Sequence, residues 1–175
     1  MNLHAAFLPG RRADADDYWL GLGVVALLDA IRLSVFPAGT GWLVWLFVLV
    51  LLFVVHANRL RDASRPRALA LAPIGAGVLA KTLGATVGIT AAIWPVYLEF
   101  LDRRGIDLAD AEAVERAARD QALMEDFQAW MLDQETMMID ALAAGGWPSM
   151  IAFWGVVFAL GFWFAGMTAR GPRPA

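Results

Sequence analysis

Long uncharged stretches alternate with short charged ones along this chain, and the gaps between charges delimit its elements. No Asp, Glu, Lys or Arg falls between Asp140 and Arg170, and none between Arg32 and Arg59. A helix needs about 20 mostly apolar residues to cross a hydrocarbon core about 30 Å thick. The pattern therefore predicts spans over 147–167 and about 41–57, the latter built on a dense apolar run. At about −0.3 to −0.6 kcal/mol per aliphatic residue, that run favours insertion by several kcal/mol.

A further span is expected over about 19–36, although Asp29 and Arg32 interrupt its apolar residues. A central charge costs roughly 2.5–3.5 kcal/mol on insertion scales. Arg32 is near the end, where it can snorkel, and it shares a helix face with Asp29 three residues earlier. Residues 68–100 make a stretch longer than one crossing needs, interrupted by Pro73 and Lys81. One tilted, kinked span over about 73–98 is expected there, and a broken or re-entrant helix divided near Lys81 is the alternative. Ala80, Gly84 and Gly88 recur every four residues, a spacing that lets a neighbouring helix approach closely.

Between the last two spans, residues 107–144 read as one long amphipathic helix outside the membrane. Asp107 is its candidate N-cap, and Gly145-Gly146 stops it before Pro148. Leu123, Phe127, Trp130 and Met137 form an apolar stripe along it, opposite a mainly acidic face. The stripe fits packing on the chain's own spans, self-association or a partner helix, or, least well for an acidic helix, contact with lipid. The expected fold class is thus all-α, a polytopic helical membrane protein with about four transmembrane helices plus this extramembrane helix. Its segments are an arm (1–18), a three-span membrane region (19–100), the acidic helical segment (101–146), the fourth span and a tail (168–175).

Composition supports that class. Of the 175 residues, 59% are hydrophobic and 18% charged, against about 25% charged in soluble domains. A soluble protein of this size has too little interior to bury so much apolar surface. With no cysteine, disulfides and thiolate metal sites are excluded. The acidic lead-in to the first apolar stretch argues against a cleavable signal peptide. Basic residues set the orientation. Arg11 and Arg12, then Arg59, Arg61, Arg65 and Arg67, and finally Arg170 and Arg173 give eight on one side. Arg103, Arg104, Arg116 and Arg119 give four on the other. Both termini are expected to be cytoplasmic.

Two junction motifs carry a family resemblance. Arg12-Ala13-Asp14-Ala15-Asp16-Asp17-Tyr18-Trp19 precedes the first span, and Asn58-Arg59-Leu60-Arg61-Asp62-Ala63-Ser64-Arg65 follows the second. Together they resemble domain of unknown function 805, a family of small bacterial inner-membrane proteins. Arg12, Tyr18 and Trp19 match its Gly-Arg-x-Ser-Arg-x-Glu-Tyr-Trp pattern, with Asp17 in place of the glutamate. Arg59, Leu60, Asp62 and Arg65 match its Arg-Arg-Leu-His-Asp-x-x-Arg loop. Arg61 replaces the histidine, and Ala68-Leu69 stand for the family's tryptophan pair. The resemblance covers about residues 10–100, leaves the rest as a C-terminal extension, and implies an inner-membrane location without an activity. Read physically, Tyr18 and Trp19 suit a membrane interface. Asp17 and Asp62 can pair with Arg12, Arg59 or Arg65 and lock the two junctions together. In the alternative, the arginines only meet anionic lipid and set topology.

No nucleophile elbow, phosphate-cradling loop, zinc spacing or cofactor signature is present, so no catalytic, metal or cofactor residue is named. His56 is expected to be an interfacial hydrogen-bonder. The arginine loop is too short to argue for nucleic acid. Asp29, Arg32 and Lys81 are the charged candidates within spans, with a buried Asp29–Lys81 pair expected. A non-catalytic membrane component that binds itself or another membrane protein, with the lipid bilayer as its solvent, is the leading function. A small transporter or channel subunit using these three charges is the alternative.

Overall fold

The computed structural model describes residues 2–36 and 41–168. The link 37–40 and the tail arginines Arg170 and Arg173, which entered the charge count, lie outside the described residues. Among those described, every regular element is helical. In order they are α1 (Leu3–Phe7), α2 (Ala15–Val35), α3 (Trp42–Asp62), a 3-10 turn (Arg67–Ala70), α4 (Leu71–Arg103), α5 (Ala111–Arg119), α6 (Gln121–Leu132), α7 (Glu135–Ala144) and α8 (Gly146–Ala165). Four helices are long and apolar enough to cross a membrane, built on α2, α3, α4 and α8. The chain divides into two compact units, one from Met1–Gly84 with Ser149–Ala175 and the other from Ala85–Pro148.

In the first unit the helices run up and down. Tyr18 and Gly21 of α2 meet His56 and Val55 of α3. Gly161 and Trp154 of α8 meet Leu22 and Asp29 of α2, in antiparallel sense. Gly77 of α4 lies against Phe153 and Val157, and Lys81 against Ser149, also antiparallel. Tyr18, Leu22, Val48, Leu52, Phe153 and Val157 are fully buried in the shared core. Outward rows stay apolar: Leu79 and Leu83 of α4 are 70 and 69% exposed, and Val87, further along the same helix and within the second unit, is 66% exposed. A row that greasy facing outward calls for an apolar surrounding.

Local chemistry explains the boundaries. Asp14 caps α2, accepting from the Asp17 N–H at 2.9 Å. At the end of α3, Ser64 takes φ 52°. The Ser64 and Arg65 N–H groups return to the carbonyls of Arg61 and Leu60 at 3.1 and 2.8 Å. This is a Schellman cap with serine where glycine is usual. Pro73 falls in the first turn of α4, where a missing N–H costs nothing. The helix continues through Lys81 to Arg103 with Pro95 inside it, so residues 71–103 form one helix and not a broken one.

The second unit corrects the expectation of one long helix over 107–144. Asp107 makes only a local turn to the Ala109 N–H, and the first helix starts at Ala111 with Asp110 as its cap. Asp120 then adopts an extended backbone and caps α6 through the N–H groups of Ala122 and Leu123. A second break falls at Asp133 and Gln134. A short carboxylate competes for backbone N–H groups better at a helix start than inside one, and that preference outweighed the apolar periodicity. Tyr97, Phe100, Leu101, Ala117, Phe127 and Met131 form this unit's core.

Gly88 of the expected small-residue row does meet a neighbour closely. A Cβ there would stand 2.8 Å from the Ala144 carbonyl and 2.9 Å from the Gly145 Cα, both backbone. Gly88→Ala should therefore destabilise the protein by about 1–3 kcal/mol, as overpacking does. Gly75→Ala, at a site with open space around it, should be neutral or slightly stabilising. Thermal unfolding of the two variants in the same detergent checks the contrast.

Candidate functional site

The conspicuous polar assembly lies at one end of the first unit, where α3 ends. Arg59 is only 4% exposed. Its Nη1 donates to Asp62 at 2.9 Å, its Nε to the Phe164 carbonyl at 3.1 Å, and its Nη2 to the carbonyls of Ala165, at 2.7 Å, and Met167. The last carbonyls of a helix have no partner within it and carry partial negative charge. A planar guanidinium offers five donors in a fixed fork. Arg59 thus caps the C-terminus of α8 from α3, with Asp62 balancing its charge.

The preceding residue does the same for another element. Asn58 Nδ2 donates to the carbonyls of Ala5, Ala6 and Leu8 at 3.0–3.1 Å, closing the end of α1. The Asn58 carbonyl accepts the Ala13 N–H at 3.4 Å, and Arg61 donates to the Gly10 carbonyl. Asp17 accepts the Asn2 N–H at 2.5 Å. Tyr18 and His56 share a hydrogen bond of 2.9 Å inside the core, and the His56 ring meets Phe164 edge-on at 5.4 Å.

The two junction motifs are brought together, and of the expected pairs Asp62 with Arg59 is formed, but the link across the junctions runs through Asn58 and Arg61. Asp62 pairs with Arg59 on its own helix, whereas Arg12 and Arg65 are exposed and in no salt bridge among the described residues. Trp19 packs between Tyr18, Phe158 and Phe162. Asn58, the residue that ties down α1, had no signal beyond its place in the motif. An asparagine at a helix end suits solvent as well as a buried role.

The charge candidates also meet different partners. Asp29 is fully buried, and its carboxylate accepts from Arg32 Nε at 2.7 Å and Trp154 Nε1 at 2.9 Å. Lys81 instead reaches Ser149 Oγ at 3.3 Å and stands 5.6 Å from the centre of the Trp45 ring. The direct Asp29–Lys81 pair is not formed. Asp29 and Arg32 act on Lys81 only through longer-range electrostatics. Trp154 and Ser149, both on α8, took these roles, which no residue spacing in α2 or α4 announces.

The apolar stripe turns inward. Phe127 is buried against Tyr97 and Phe100 at ring distances of 5.0 and 5.3 Å. Leu123 and Trp130 pack around it, with Arg103 over the Trp130 ring at 5.7 Å. After the break at 133–134 the register changes, so Met138 packs against this core where Met137 was expected. Among the acids of this unit, Asp126 pairs with Arg104 at 3.0 Å and Glu125 accepts from Gln121.

Comparison with models of known families, with curated proteins and with solved structures finds no match.

Two predictions follow from these geometries. Because Asp29 binds Trp154 and not Lys81, exchanging charges in Asp29→Lys with Lys81→Asp should not rescue either single change. A double-mutant cycle of Asp29→Asn with Trp154→Phe should instead give a coupling of about 1–2 kcal/mol, read from unfolding in detergent. Arg59→Ala takes the guanidinium away from the buried Asp62 carboxylate and from the carbonyls at the end of α8, and should cost about 3–5 kcal/mol. Arg59→Lys, with no fork, should recover less than half of that loss.

Proposed function

We propose that this chain is a non-catalytic, multi-pass component of a bacterial inner (plasma) membrane, with both termini cytoplasmic, that assembles with itself or with another membrane protein. The observation that carries the reading is how the charges of the apolar helices are used. Asp29, Arg32, Arg59 and Asp62, the groups that a reaction or an ion path would draw on, are engaged in fixed bonds between or within helices. The basic residues Arg11, Arg12, Arg59, Arg61, Arg65 and Arg67 gather at the end of the bundle that also holds the C-terminus of α8. This supports an even number of crossings with that end in the cytoplasm. The resemblance of the junction motifs to domain of unknown function 805 points to the same location. Since the stripe on α6 is spent within its own unit, a partner would meet the outward apolar rows, such as Leu79, Leu83 and Val87.

A transporter or channel subunit is the second reading, and Lys81 favours it. Its ammonium has three donors but, among the described residues, one acceptor, at 3.3 Å, and it is only half-buried.

The first test places a single Cys at Ala118, an exposed position in a chain with no other thiol. A membrane-impermeant reagent should label it in intact cells. Labelling only after lysis would overturn the orientation. A photo-crosslinker at Leu83 should then yield one discrete adduct. If no adduct forms at Leu79, Leu83 or Val87 while Lys81→Gln abolishes a solute flux at normal protein abundance, transport replaces assembly.

A further inference from the structure

The arginine-rich end of the bundle carries an open cleft of about 570 Å³. Among the residues lining it are Asn2, His4, Arg11, Arg12, Asp17 and Arg61. Its charge is lopsided. The one carboxylate, on Asp17, already receives the Asn2 N–H and is 8% exposed. Against it stand three guanidinium groups. Arg61 is held by its bond to the Gly10 carbonyl, in a turn where Gly10 takes φ +84°. The side chains of Arg11 and Arg12 donate to no described residue and are exposed.

Forked donors converging on one concavity match the oxygens of a phosphate, which they bind through paired, charge-assisted hydrogen bonds. A free anion would ask for nothing more. Beside this cleft, outside its lining, Leu3 and the C-cap residue Leu8 flank α1 as an apolar margin, 50 and 44% exposed. The helix between them supplies His4 and Ala5 to the lining. The ligand chemistry is thus a phosphate attached to a hydrocarbon. The cleft also sits where two apolar helices end, at the N-cap of α2 and the C-terminal turns of α3. That is the level of lipid phosphates if these helices cross a bilayer.

We propose that this cleft is a binding site for the phosphate of an anionic phospholipid. Arg11, Arg12 and Arg61 take the phosphate oxygens, and Leu3 and Leu8 lie along the acyl chains. The inference rests on the membrane reading above, and the experiment separates the two. The full chain is reconstituted into discs of phosphatidylcholine with a minor fraction of phosphatidylglycerol. Incorporation is scored first, by co-elution with the disc. Lipids retained on release are then identified by native mass spectrometry.

The parent protein and Arg65→Gln/Arg67→Gln, which loses two exposed charges from the same end but outside the cleft lining, should retain phosphatidylglycerol preferentially. Arg11→Gln/Arg12→Gln should lose that preference by about tenfold or more, at roughly 1 kcal/mol for each basic group. Equal loss in both double variants would mean diffuse attraction and overturn the site, as would an unchanged preference in Arg11→Gln/Arg12→Gln. Displacement of the lipid by millimolar inorganic phosphate would make it a site for a soluble phosphate and overturn the lipid assignment. Failure to enter the disc would overturn the membrane reading, and the lipid site with it.

Discussion

The first unit depends on one buried guanidinium. Arg59 closes the C-terminus of α8 by giving its fork to the carbonyls of Phe164, Ala165 and Met167, the first of which also accepts the Met167 N–H, while Asp62 offsets its charge. Buried polar groups of this kind are tolerable only when fully satisfied, because each unpaired one costs about 1–3 kcal/mol or more. The contact is therefore demanding: α3 and α8 must end at the same level and in one orientation. Asn58 adds a second constraint from the same turn. Neighbours on a helix point roughly 100° apart, so residues 58 and 59 reach two different elements. One turn of α3 thus fastens α1 and α8 together.

Further along the helices, polar groups act in the same manner. The Asp29 carboxylate divides its two oxygens between Arg32 on its own helix and Trp154 on α8. That arrangement keeps an acid compatible with an apolar setting, where an isolated carboxylate would be expensive. It also fixes the rotation of α8, because positions roughly 140° apart around its axis must present Trp154 to α2 and Ser149 to Lys81. The small residues complete the arrangement from the other side. Gly161 and Gly77 let Leu22 and Phe153 come within contact of the opposing backbone.

The second unit is built differently, from short acid-capped helices around an aromatic cluster. Asp110 and Asp120 each spend a carboxylate on starting a helix. Phe127, Tyr97, Phe100 and Trp130 then supply large apolar area in tilted and edge-on contacts. The acidic surface that remains is solvated or paired locally, as Asp126 is with Arg104.

The sequence by itself determined where the apolar helices lie. Their signal is a sum over about 20 consecutive residues, which a single Asp29 or Lys81 does not erase. The extents differ by only a few residues from those observed, since capping and not hydropathy sets the ends. It also singled out the charges and the junction motifs, because charged groups among apolar ones are conspicuous whatever the fold. What only the tertiary structure decided is whom those groups meet. Asp29 meets Trp154, 125 residues away, and Arg59 meets carbonyls more than 100 residues away. Backbone carbonyls are the same at every position, so a sequence cannot mark the ones an arginine will cap. The single helix expected over 107–144 failed for a related reason. Apolar periodicity measures which face a helix would bury, whereas its continuity was decided by local competition between the Asp120 carboxylate and the helix's own hydrogen bonds.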